Sequence, residues 1–319
     1  MAFERIAAEA AYAVTMKTRS SKWPDRASGR IEPLCLPAIT PSFTIARGAS
    51  VFTIGSCFAR HIEFALAEYG LTVPTLGFRV PVEELWAGTG MRTGILNKYT
   101  PFSMLNEVEF VLGDSDGSEF LIKTGEDRYW DGQLHTTESV PLARALKRRQ
   151  KVRALYADAI RDSAVVIVTL GLIEAWWDEE RQLYLNDTAP KPLVDRYPGR
   201  FFFEVLPIDK VIAAVRRLIE RLHAMNPAQK VLLTVSPVPF VRSFAGKDAL
   251  TANSYSKSAL RVAAEIVTRE HDWVDYYPSY ESVTNSDRAL AWEDDLVHVR
   301  LDMVKANVDR MVKSYVEAE

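Results

Sequence analysis

Val51-Phe52-Thr53-Ile54-Gly55-Ser56-Cys57-Phe58-Ala59-Arg60 is the stretch on which the reading of this chain turns. Val51 to Ile54 is a short β-branched and aromatic run, the composition of a buried strand. Gly55 breaks it. Phe58, Ile62, Ala65 and Tyr69 then recur at helical spacing. The chain leaves a strand, turns at a glycine and enters a helix, with Ser56 and Cys57 at the helix N-terminus. Backbone N–H groups and the positive end of the helix dipole face whatever binds there. Two readings of the pair stand side by side. In one, Ser56 is an N-cap and Cys57 a small packing residue. In the other, the thiol has a lowered pKa in that field and is a nucleophile.

Further strands follow the same logic. Ala164 to Leu170 is apolar throughout, as a strand covered on both faces must be. Lys230 to Val235 is the next buried strand, stopped by Pro237, and Trp273 to Tyr276 is a short last one. Between them Val211, Val215, Leu218, Leu222 and Met225 mark a helix that ends at Asn226-Pro227. Asn253 or Ser254 caps a helix carrying Ala259, Ala263, Ile266 and Val267, and Leu301, Val304, Val308, Met311 and Tyr315 give a closing helix. Strands alternating with helices call for an α/β fold with a parallel sheet and helices on both faces.

The remaining segments decorate that core, and the whole chain, residues 1–319, reads as a single domain. Residues 1–22 hold a short amphipathic helix through Ile6, Ala10 and Ala13. An arm up to residue 50 carries Pro24, Pro33, Pro37 and Pro41, with Cys35 as a buried small side chain, and runs over the surface. Leu71 to Phe78, with Pro74 and Gly77, is an edge strand or an extended connection. Residues 80–160 form a helical and hairpin elaboration: a short helix from Pro81 to Trp86, a glycine-bearing loop from Thr89 to Lys98, a helix over 102–112, a hairpin of 120–122 with 128–130, and a helix over 142–160. Trp176-Trp177-Asp178 opens a polar excursion that runs through Pro198.

With 39 basic and 42 acidic residues the formal charge is −3, so no basic excess points to nucleic acid. Two cysteines give no disulfide framework. The apolar stretch from Ala7 to Val14 is too short for a membrane span and lacks a basic signal-peptide front, which predicts a soluble, cytoplasmic protein without a membrane partner. Five scattered histidines offer no metal-ligand spacing, and no cofactor is called for.

Gly55-Ser56-Cys57-Phe58-Ala59 resembles the signature of the GSCFA family. Similar stretches follow in the family's order: Asn97-Lys98-Tyr99, Thr169 to Trp176, Thr234 to Pro239, Asn253 to Ser258, Tyr277 to Glu281, and Asp294-Asp295-Leu296-Val297-His298. They cover roughly residues 48–300. The family looks like a branch of the SGNH/GDSL hydrolase group. The resemblance implies a three-layer α/β/α sandwich with flavodoxin-like strand order, and an esterase or acyltransferase acting on a small-molecule or glycan-type acyl substrate. In that group a Gly-Asp-Ser block supplies the nucleophile, so Gly55 matches its glycine and Cys57 its serine. Asp295 and His298 match the D-x-x-H pair of orienting acid and base.

In open parallel sheets ligands sit beyond the carboxyl ends of the strands. Gly55-Ser56-Cys57, Gly171 to Glu174 and Ser236 follow the buried strands and so point at one crevice. A triad of Cys57, His298 and Asp295 there gives a covalent thioester intermediate. Ser56 is an alternative nucleophile one residue away, and Asp294 an alternative orienter. Where the SGNH group has an oxyanion Asn after the middle strand, this chain has Ile173, which cannot donate from its side chain. Asn97 and the backbone N–H of Cys57 are the candidate replacements. Glu174, Trp176 and Trp177 are either a pocket wall or a lid packed on the core, and His135 a loop residue near the crevice. A non-catalytic module that binds a carbohydrate or acyl group in a relic cleft is the alternative function.

Overall fold

The computed structural model describes residues 5–84 and 93–317. Along the described chain the strands are β1 (Val51–Ile54), β2 (Leu121–Gly125), β3 (Arg128–Asp131), β4 (Val165–Leu170), β5 (Glu174–Asp178), β6 (Leu183–Tyr184), β7 (Phe201–Val205), β8 (Lys230–Val235) and β9 (Val274–Tyr276). The helices are α1 (Ala8–Lys17), α2 (Cys57–Glu68), α3 (Pro101–Leu112), α4 (Leu142–Asp162), α5 (Lys191–Arg196), α6 (Ile208–Met225), α7 (Ala249–Glu270), α8 (Ser279–Asn285), α9 (Arg288–Ala291) and α10 (Leu301–Tyr315).

The central sheet is β1-β4-β8-β9, parallel throughout. Ile54 pairs with Val168, and Val168 with Leu233. Side chains alternate across it. Phe52, Ile54, Val166, Val168, Val231 and Leu233 meet Met104 and Val108 of α3, Val152 and Tyr156 of α4, Val215 and Leu218 of α6, and Leu260 and Ala263 of α7. Val51, Val165, Ile167 and Leu232 meet Phe58 and Ile62 of α2, and Val304, Val308 and Met311 of α10. These two cores on opposite faces make three layers. They also explain why the strands read as unbroken apolar runs: each aliphatic side chain taken fully out of water stabilises the fold by about 1.5–3 kcal/mol. In a flavodoxin-like order a further strand lies outside the first. Its place is held by one parallel bridge, Ser50 to Thr72, because Pro74 removes a donor and opens a 3-10 turn over Pro74–Gly77.

The elaboration has the expected hairpin, β2 with β3, and the helices α3 and α4. The short helix expected from Pro81 is a 3-10 turn, Val82–Glu84. Trp86 and positions 89–92 of the expected loop lie outside the described residues. Several expectations are corrected. The excursion after Trp176 is a second, antiparallel sheet, β6-β5-β7, with α5 between β6 and β7. Helix α7 starts at Ala249 rather than near Asn253, capped by Asp248, whose carboxylate accepts from the amides of Leu250 and Thr251. Helix α1 buries no residue, so it is not amphipathic against this fold. The arm is partly core: Phe43 and Ile45 are buried, Ile45 bridges to Val316, and its N–H donates to the Tyr315 carbonyl at 2.7 Å. Cys35 is buried there, donating its N–H to Ser286 Oγ at 2.8 Å. Among the described residues no helix is long and apolar enough to cross a membrane.

Candidate active site

β1 ends in Gly55 because nothing larger fits. A Cβ on Gly55 would stand 2.7 Å from Thr169 Cβ and 3.0 Å from the Thr169 carbonyl oxygen, on the neighbouring strand β4. The Gly55 carbonyl accepts from the N–H of Lys98 at 2.9 Å. Ser56 occupies the N-cap position of α2 in extended conformation, but its side chain makes no capping bond. The expected cap is therefore absent; the hydroxyl is buried beside the thiol instead. Cys57 is the first helical residue and is partly exposed. The expectation of a lowered thiol pKa is corrected: burial pushes it up, against the opposing pull of the Phe58 amide, Ser56, its own amide and Lys257. At neutral pH the sulfur keeps its proton, so any nucleophilic use of it needs a base.

Cys57 opens on a cavity of about 620 Å³ beyond the carboxyl ends of β1, β4 and β8. Of the residues singled out in the sequence, Ser56, Cys57, His135, Gly171, Glu174, Trp176, Ser236 and His298 line it. Gly55 lies under the turn. Asp295 stands behind His298. Asn97 is buried off the wall: its Nδ2 donates to the Tyr99 hydroxyl at 3.4 Å, and its carbonyl accepts from Asn186 at 2.8 Å. Ile173 is packed in the core, and its N–H donates to Ser256 Oγ at 3.2 Å. The amides of Cys57 and Phe58, in the first turn of α2 where no intrahelical acceptor exists, both favour the thiolate, as the Ser56 hydroxyl does.

The spacing of Asp295 and His298 has a local cause. Asp295 Oδ1 accepts from the N–H groups of Val297 and His298, both at 2.9 Å, and wraps the chain into a tight turn. Leu296 takes a left-handed φ of 57° to allow it. That turn delivers His298 Nδ1 to Asp295 Oδ2 at 2.6 Å. The N–H bonds, that of His298 first, hold the Asp295 carboxyl down to about 2. An ionised carboxylate only accepts, so Nδ1 carries the proton and Nε2 is left as the acceptor. No hydrogen bond joins His298 to Cys57. Asp294 points to Arg300 at 3.3 Å instead.

A second His–Asp pair faces the same cavity. His135 Nδ1 lies 2.7 Å from Asp187 Oδ2, and its ring packs edge-on to Tyr99 at 5.3 Å. Burial, then Asp187 and Cys57, drive the Tyr99 hydroxyl well above its usual range, so it feels both the second pair and the thiol. Asp187 was not singled out in the sequence, because its partner is 52 positions away and no spacing announces it.

β5 parts the two tryptophans by its alternation. Trp176 faces the cavity and meets Phe203 and Phe244 edge-on at 5.6 and 5.1 Å. Trp177 turns to the other side, against Tyr184. Glu174 accepts from Ser243 Oγ at 2.6 Å and from the Phe244 N–H at 3.1 Å, so it fastens the loop that carries Phe244 onto the wall. Ser236 is buried with its hydroxyl unpartnered toward the cavity. Among the described residues no three His, Cys, Asp or Glu side chains gather as a metal site.

A parallel sheet between two helical layers, with a thiol, two His–Asp pairs and an aromatic wall at the carboxyl ends of its strands, defines a three-layer α/β protein with its cavity where such folds place ligands. The chain belongs to the GSCFA family, whose profile matches residues 50–311. Among solved structures it is similar to the crystal structure of an acetyl esterase serine-to-alanine mutant with acetate ion. That likeness is 11% identical, covers 83% of this chain and 97% of that one, and has a TM-score of 0.38. No curated protein matches.

Proposed function

We propose that this protein is an SGNH-type acyl hydrolase or acyltransferase that works through a thioester on Cys57. The observation that carries the reading is one cavity lined both by the strand-end thiol and by a histidine whose Nδ1 is held by an ionised carboxylate. In the first half-reaction His298 Nε2 takes the thiol proton and Sγ attacks the acyl carbonyl carbon. The oxyanion that forms is met by the first-turn amides of α2. Collapse expels an alcohol or thiol, which leaves with the proton from His298. In the second half-reaction water or an acceptor hydroxyl gives its proton to His298, attacks the thioester carbon and restores the thiol. The aromatic wall of Trp176, Phe203 and Phe244 suits an apolar acyl or sugar group. The experiment is intact-protein mass after incubation with an activated acyl ester. A single adduct on Cys57 that is absent in His298→Ala supports the assignment; no adduct on any residue overturns it.

One observation favours a different base. The His135 side chain is 13% exposed and that of His298 59%, and desolvation strengthens a hydrogen-bonded pair. If His135 is the base, adduct formation fails in His135→Ala and survives in His298→Ala. The binding-module reading draws on Ile173, which stands where the SGNH group has its oxyanion Asn and is packed in the core, and on the raised thiol pKa. It is the outcome if neither variant matters and no adduct forms.

A further inference from the structure

Lys257 is the feature of this fold that the scheme above leaves unused. It is wholly buried on α7. Its Nζ donates to the Gly171 carbonyl at 2.8 Å and to the Val238 carbonyl at 2.7 Å. Both acceptors lie on strand-end loops that wall the cavity, after β4 and β8. The residue before it, Ser256, takes the Ile173 N–H of the same first loop. Two successive α7 side chains thus tie down residues 171–173.

Two carbonyls do not account for a buried ammonium. The group has three donors and a full charge, and burying a charge without an opposite one is strongly unfavourable. The other fully buried lysine, Lys98, obeys that rule: Glu107 pairs with it, and Asp131 and Arg149 complete the cluster. Among the described residues no carboxylate pairs with Lys257. The group within electrostatic reach that can take up an opposite charge is the Cys57 thiol, and each favours the charged form of the other. Burial brings the ammonium down to about 7. The other titratable groups that line the cavity with the thiol are Tyr99, His135, Asp187, Glu174, Arg242 and His298; His61, one turn along α2, lies within electrostatic reach of His298.

We infer that Lys257 is a positioning residue: its ammonium joins the two strand-end loops behind Cys57 and supplies the positive charge that stabilises the thiolate as it forms. The inference rests on Cys57 being the reactive group. It adds to the pull of the first-turn amides, which burial outweighs. A purely mechanical tie between two carbonyls would be met by a neutral donor; a charge is needed only if something opposite appears beside it.

Two measurements test this on the full chain, and neither needs acyl transfer. A failure of the acylation assay is therefore distinguishable from a failure here. First, the rate of iodoacetamide alkylation at Cys57 is followed against pH by peptide mass in the wild type, Lys257→Met and Lys257→Gln. Below about pH 7, where the ammonium is charged, the rate is expected to fall about tenfold in both variants, the low end of the effect of losing an opposite charge nearby, and at higher pH the curves converge. An unchanged rate below about pH 7 in a folded variant overturns the inference. Second, the ¹⁵N shift of Lys257 Nζ is titrated in the wild type and in Cys57→Asp, where the lysine is untouched and a fixed negative charge stands in for the thiolate. The ammonium should keep its proton to higher pH in Cys57→Asp; coincident curves overturn the inference even if both lysine variants fail to fold.

Discussion

Gly171 lies so close to Tyr99 that a Cβ on the glycine would stand 2.5 Å from the Tyr99 carbonyl oxygen. The same oxygen accepts the N–H of Leu172 at 2.8 Å. The end of β4 and the segment leading into α3 are thereby locked to one another at the floor of the cavity. Gly171→Ala must push one of them aside. Overpacking of this kind costs about 1–3 kcal/mol. The expected result is a lower urea midpoint with an unchanged m-value, together with loss of acylation at Cys57. A variant as stable as wild type would mean the segment yields freely.

The two neighbouring hydroxyl and thiol candidates separate cleanly. Ser56 makes no capping bond, so Ser56→Ala should cost less stability than the usual cap deletion of about 0.5–2 kcal/mol. It should also keep the acyl adduct. Cys57→Ala should lose the adduct. Intact mass on both variants, followed by peptide mapping, reads the outcome. An adduct on Ser56 in Cys57→Ala would move the chemistry by one residue.

The Asp295–His298 pair makes a pH prediction. The Asp295 carboxyl is held down to about 2. A depressed carboxyl keeps its pairing at every pH above the ordinary range of about 4 and loses it only as pH falls through about 2. Acidification from neutrality to about pH 5 therefore leaves the carboxylate ionised and its bond to His298 in place, so a fall in acylation over that range does not come from Asp295. Asp295→Asn should lower the rate across that whole range without creating a new step. His298→Ala should lower it by about 10²–10⁴-fold, the usual worth of a general base. Rate profiles of the three proteins decide it.

Behind the thiol, Lys98, Glu107, Arg149 and Asp131 form a wholly buried ionic cluster. Its tie to the site is the Lys98 backbone, whose N–H holds the Gly55 carbonyl. Removing one charge strands the others. Glu107→Gln should cost about 3–5 kcal/mol, the usual effect of breaking a buried pair. Thermal melting would read it, and a change well under 1 kcal/mol would show that water reaches the cluster.

The parallel core was legible because burial on both faces leaves a mark in composition. Val165 to Leu170 and Lys230 to Val235 could be little else. The antiparallel sheet was not legible. In β7 Phe201, Phe202 and Phe203 put aromatic side chains on both faces, so no alternation survives. The start of α7 was missed because the exposed Leu250 and the polar turn after it show no apolar stripe; the Asp248 cap was the available signal. For the site, the glycine, the thiol and the D-x-x-H turn are local and could be read. Asp187, Lys257 and the burial that raises the Cys57 pKa depend on segments far apart in the chain.

The turn that carries His298 has one more implication. Beyond the Trp292–Val299 bridge and the Glu293 N–H bond to the His298 carbonyl, its tip is shaped by bonds that a short peptide could make, and Leu296 sits there in a conformation that disfavours side chains. Cys57, by contrast, is held by the sheet and two packed cores. The two halves of the site thus have unequal thermal lifetimes. On heating, the turn should open while the sheet stands, and the protein should fall silent several degrees before it melts, then recover on cooling.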